Sequence, residues 1–182
     1  MSTGKEALQQ TLKRMAERPP TKAQAQAPKS QAPTRCFVDA PILLYLQDRS
    51  EARKRAMARH SLRSIRRHGE LVVSPMVLAE LYGDARRRFP LVGRDAVRAY
   101  LADLMPACRS AGPLELMDRA FRVEDRLHLP WAQCLLFAAA QAAECRVLVS
   151  EDLEDGLSHE RTLVVNPFVT DIETLFTSFK ER

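Results

Sequence analysis

Three acidic residues stand where short apolar runs end or helices begin. Asp39 closes Phe37-Val38, Asp152 follows Leu148-Val149-Ser150-Glu151, and Glu80 lies in Val77-Leu78-Ala79-Glu80, just after Leu71-Val72-Val73-Ser74. An acid placed directly after a buried parallel strand points into the crevice where such sheets bind ligands. Three carboxylates gathered there repel one another. A hard divalent cation such as Mg²⁺ or Mn²⁺ relieves that repulsion, because these ions take oxygen donors and are often held by a few carboxylates plus phosphate oxygens. The chemistry suited to such a site is phosphodiester hydrolysis, in which the ion lowers the pKa of water and offsets phosphate charge. Asp39 has a second reading, as the N-cap of the helix that follows it. Ser150-Glu151-Asp152 likewise reads as a polar turn.

Other chemistries find less support. No GxxxxGK[ST] or GxGxxG loop is present to cradle a nucleotide. Cys36, Cys108, Cys134 and Cys145 are scattered without a CxxC pair, which fits small buried thiols in a reducing compartment and, with it, a cytoplasmic location. His60, His68, His128 and His159 lack zinc-ligand spacing. Asp39 is not followed by x-Asp, so a phosphatase-like nucleophile motif is missing. No apolar run approaches the ~20 residues of a membrane span, and the first residues lack the apolar core of a secretory signal.

The elements that must position these acids can be read from periodicity. Strands are expected at Cys36–Asp39, Leu71–Ser74, Val147–Val149 and Leu163–Val165, with a further one at Leu114–Leu116. Helices are expected at 41–47, 50–68, 77–88, 92–105, 117–128, 131–144 and 171–179. Short apolar strands alternating with helices predict a three-layer α/β/α sandwich around a mainly parallel sheet of four to five strands.

Of 182 residues, 28 are Lys or Arg and 23 are Asp or Glu, a net charge of +5. Residues 1–35 hold seven of the positive side chains and two of the negative ones, so they carry the whole excess. Residues 1–34 are expected to form a basic flexible arm with a short helix over 4–18, where Leu8, Leu12 and Met15 share a face. Residues 35–182 form the folded domain. Within it, Arg55, Arg59, Arg63 and Arg67 recur every four places. This stripe is read either as a solvated face or as a contact for RNA phosphates or an acidic partner.

From Cys36 to Phe168 the chain resembles a PIN domain of the VapC-like toxin ribonucleases. The resemblance lies in FVDAPILLYLQD, in SPMVLAELY and above all in CRVLVSEDLEDGLSHERTLVVNPF. It implies a metal-dependent endoribonuclease acting on single-stranded RNA, the toxin of a toxin–antitoxin pair. By motif match Asp39, Glu80 and Asp152 are catalytic metal ligands for Mg²⁺ or Mn²⁺, and Ser150 supports them. It also implies a homodimer neutralised by a small antitoxin. Two departures stand out. Ala40-Pro41 replace the usual small polar pair after the first acid, and Gln133 occupies the position of a fourth acid. An amide oxygen can bind the ion but brings no charge, so Glu151 and Asp155 become candidates for compensation. The rival reading is a PIN-fold module with weakened or lost catalysis that binds RNA or a protein.

Overall fold

The computed structural model describes residues 33–180. The helix expected over 4–18, and nearly all of the arm containing it, lie outside the described residues.

Five strands form one sheet in the order β2-β1-β3-β5-β4. They are β1 (Thr34–Val38), β2 (Gly69–Val72), β3 (Val147–Val149), β4 (Ser158–His159) and β5 (Thr162–Val165). The first four in spatial order run parallel, and β4 joins the edge antiparallel to β5 through Ser158↔Leu163. Every side chain of β3 is fully buried. Successive strand residues face opposite sides, so the sheet is covered on both faces there. This is the expected mainly parallel α/β architecture.

Seven helices are described: α1 (Ala40–Tyr45), α2 (Ala52–His68), α3 (Pro75–Arg88), α4 (Arg94–Leu104), α5 (Pro113–Leu127), α6 (Trp131–Ala142) and α7 (Ile172–Lys180). Several start where local chemistry allows. Ser74 caps α3 by accepting from Val77 N at 3.3 Å, with Pro75 in the first turn, where its missing N–H costs nothing. Asp39 stands at the N-cap of α1, its side chain accepting from Ala40 N.

One expectation is corrected. Leu114–Leu116 is the first turn of α5 and not a strand, because Pro113 opens a helix whose Leu116, Ala120 and Val123 recur at helical spacing toward the core. The fifth strand is instead the two-residue β4, which no sequence period announces. No described helix is long and apolar enough to cross a membrane.

The order of the strands decides where a ligand crevice lies. From β1 the chain moves outward to β2 and then returns to β3 on the other side of β1. The direction of winding reverses between β1 and β3, so the crevice opens beyond their carboxyl ends. Asp39 and Ser150 are the residues found there.

Candidate active site

Asp39 sits directly beyond β1, and its backbone N–H donates to Val149 O at 3.0 Å, so the ladder with β3 continues one step past the strand. The residue is 3% exposed. One oxygen, Oδ1, accepts from Ala40 N at 2.8 Å; the other, Oδ2, accepts from Ser150 Oγ at 2.6 Å. The same Ser150 hydroxyl accepts from Asp152 N at 3.2 Å. One buried hydroxyl thus ties the acid after β1 to the turn after β3. One oxygen of Asp39 thus caps the following helix, and the other is held by the hydroxyl beyond β3.

Burial, with smaller pushes from the carboxylates of Glu80 and Asp152, raises the Asp39 carboxyl to about 6 against the opposing hydrogen bonds from Ser150 and Ala40. Glu80 and Asp152 are both exposed residues. Partial shielding from water raises the Glu80 carboxyl first, then the nearby charges of Asp84 and Asp152. Asp152 is raised by shielding and by Glu151, and drawn back by Lys54. The three acids therefore lie within electrostatic reach of one another.

They do not stand as a finished cage. Among the described residues no three His, Cys, Asp or Glu side chains are grouped so as to hold a metal ion. The donor set nevertheless suits a hard divalent cation. All its candidate atoms are carboxylate oxygens, and the neighbouring charges acting on the buried Asp39 are themselves carboxylates.

The residues expected to compensate for Gln133 are engaged elsewhere. Glu151 accepts from Lys54 Nζ at 2.5 Å. Asp155 accepts from Asn166 N at 2.7 Å through one oxygen and from Thr170 Oγ1 at 2.6 Å through the other, bracing the loop after β5. Gly156 follows with φ of 85°, a backbone state that favours glycine, and its N–H reaches Val164 O. Gln133, in the first turn of α6, donates from Nε2 to the backbone oxygen of Asp152 at 2.9 Å. It holds the acidic turn rather than offering its amide nitrogen to solvent.

Two features escaped the reading of the sequence. Asp84 lies one turn beyond Glu80 on α3, a spacing that puts both on one helix face; it pairs with Arg87. At the rim, Lys54 Nζ lies 4.6 Å from the Tyr45 ring centre and 5.2 Å from that of Phe168, and the two rings meet edge to face at 5.4 Å. Tyr45 packs within this cluster, while Trp131 packs on Phe121 at 5.3 Å.

The arginine stripe divides. Arg55 is half-buried and donates from Nε to Leu46 O at 3.3 Å. Arg59 and Arg63 share a groove with Arg66, and Arg67 lies outside it. Arg55 and Arg67 are about 18 Å apart along the helix, so the four cannot all meet one crevice. A separate cavity, lined by Ser74, Met76, Arg109 and Ala139 among others, includes none of the carboxylates.

No protein-family model and no curated protein sequence matches the chain. Solved structures do. A toxin–antitoxin complex from Klebsiella pneumoniae superposes with a TM-score of 0.52 at 16% identity, over 72% of this chain and 97% of that one. VapBC2 from Rickettsia felis, bound to a DNA fragment from its promoter, gives 0.50 at 13% identity, over the same 72% and 97%. At these identities the likeness is one of fold: the chain has the VapC-like PIN fold that its motifs resemble.

Proposed function

We propose that this chain is a Mg²⁺- or Mn²⁺-dependent endoribonuclease that cuts single-stranded RNA, the toxin of a toxin–antitoxin pair. The carrying observation is the buried Asp39 at the switch point, clamped by Ser150, with Glu80 and Asp152 close enough to raise its pKa. Asp39, Glu80 and Asp152 would hold the ion, which when bound supplies charge neutralisation for a phosphodiester and a water more easily deprotonated. Ser150 fixes the Asp39 carboxylate and the Asp152 backbone in one frame. Gln133 steadies the Asp152 turn from α6. Asp39 must shed its proton to act as a ligand, and at neutral pH it is mostly ionised. Lys54 keeps Glu151 occupied at the rim, so Asp152 is the acid of that turn left for the ion.

The fold likeness to toxin–antitoxin structures supports the toxin role with an antitoxin as partner; the resemblance of the motifs adds a homodimer as the working unit and the cytoplasm as the compartment. Fold alone does not fix function, and cleavage decides the matter. Purified full-length protein should cut an unstructured RNA with Mn²⁺, and lose that activity with EDTA or with Asp39→Asn. Cutting indifferent to both overturns the reading.

A second reading has its own support. Glu151 and Asp155 are engaged and Gln133 points its amide at a backbone oxygen, an arrangement that also fits a PIN-fold binding module without catalysis. Absence of Mn²⁺ binding at millimolar concentration would favour it.

A further inference from the structure

α2 carries Arg53, Lys54, Arg55, Arg59, Arg63, Arg66 and Arg67 and no acid. Elsewhere Arg35, Arg87, Arg88, Arg98, Arg109, Arg119 and Arg122 each pair with an Asp or Glu. Among the described residues no carboxylate pairs with Arg59, Arg63 or Arg66. These three are exposed. Like charges three and four residues apart on a helix repel. Residues 36–182 have no net charge to explain a row of unanswered cations. Such a row is open to an anion from outside.

The same three side chains, with Leu46, Gln47 and Leu62, line one groove between α2 and the end of α1. Its floor is apolar where the buried Leu62 contributes, which strengthens electrostatic attraction above it. The groove also continues the candidate active site. Tyr45 lies in the rim cluster with Lys54, and the next residue, Leu46, lies in the groove. Along α2, Arg59 follows Lys54 by about 7.5 Å in rise and about 140° in rotation, so a strand passing from one to the other crosses over the helix. We infer that the Arg59–Arg63–Arg66 groove is a binding track for the phosphate backbone of single-stranded RNA leaving the crevice past Lys54. Guanidinium groups suit it, since each presents a planar fork of donors to phosphate oxygens. A backbone with one charge per nucleotide supplies anions in a row, as the groove requires. The choice of RNA as ligand rests on the proposed function; the groove itself does not.

Binding can be tested apart from cleavage. The full chain is titrated, in EDTA, against a fluorescein-labelled oligouridylate by anisotropy across a range of salt. Arg59→Gln, Arg63→Gln and Arg66→Gln together should lower the slope of log affinity against log salt by about 2, since each phosphate left without its cation on a single strand lowers it by roughly 0.7. Removing equal charge from α5, by Arg119→Gln, Arg122→Gln and Arg126→Gln, should leave the slope unchanged. Circular dichroism of both variants should match the parent. An unchanged slope in the groove variant overturns the inference, as does an equal fall in the α5 variant. So does a groove variant that keeps RNA affinity while losing affinity for an oligoglutamate peptide, which would mark the groove as a site for an acidic protein. If RNA binds through the groove and is never cut, the groove stands and the nuclease reading falls.

Discussion

The Ser150 hydroxyl donates to Asp39 Oδ2 at 2.6 Å, joining the ends of two strands separated by 111 residues in sequence. This bond crosses the point where the sheet reverses its winding. It fixes the position of the central acid and opposes the rise in proton affinity that burial causes.

The first prediction concerns stability. Asp39 is raised from 3.8 to about 6 by burial, so between those values the folded protein holds a proton that the unfolded chain releases. Stability of the ion-free protein therefore falls as pH rises through that window. Asp39→Asn removes the penalty. In EDTA the variant should be more stable than the parent at pH 7, by up to about 3 kcal/mol from two pKa units, and equal to it below pH 4. Denaturant unfolding at several pH values measures this. A difference that does not change with pH would contradict it.

Ser150→Ala removes a hydrogen bond that favours the ionised carboxyl. The Asp39 pKa should rise further above 6, and the acid limb of the pH–rate profile should move to higher pH by about one unit. Cleavage at pH 7 should fall several-fold and recover by pH 8.5. A loss of equal size at every pH would show that the hydroxyl acts on geometry alone. Unfolding should also cost about 1–3 kcal/mol less, because a buried oxygen loses its partner.

The sheet and Asp39 were legible because both are local signals. Phe37-Val38-Asp39 is a short apolar run stopped by an acid, whereas the helix that bears Glu80 starts at Pro75, two residues before the expected start, with Ser74 as its cap and not the end of a strand. Leu114–Leu116 misled because three residues alternating apolar and polar fit either period, and Pro113 was the deciding cue. β4 is two residues long and exists through its pairing with β5. The bond from Gln133 to Asp152 O spans 19 residues and depends on how α6 meets the turn, which spacing does not encode. The arginine stripe was visible as a repeat of four. Its division was not, because that depends on where the end of α1 lies against α2. Asp84 was within reach, one helical turn from Glu80 on the same face of α3.

Asp155 tests the difference between a ligand and a brace. Its oxygens hold Asn166 N and Thr170 Oγ1. Asp155→Ala should destabilise the fold by about 1–3 kcal/mol by leaving those donors short. Affinity for Mn²⁺, read by calorimetry on the folded variant, should stay within about twofold of the parent. A tenfold drop in Mn²⁺ affinity with stability unchanged would make Asp155 a ligand after all.

Gln133→Glu tests whether the amide limits the site. The substitution keeps size and adds a negative charge beside Asp152 while removing the donor to its backbone oxygen. Two effects oppose each other. The missing hydrogen bond costs about 1 kcal/mol, and an added carboxylate near Asp152 raises both pKa values in the ion-free protein. A bound divalent cation reverses that sign, because it converts the repulsion into an extra ligand. The variant should therefore be less stable than the parent in EDTA and more stable than the parent in saturating Mn²⁺, with tighter Mn²⁺ binding by about tenfold or more. Cleavage should rise with it if ion occupancy limits the parent. Thermal unfolding with and without Mn²⁺ reads the crossover directly. Destabilisation of the same size in both conditions would mean that no ion is held near Gln133, and would favour the non-catalytic reading of the domain.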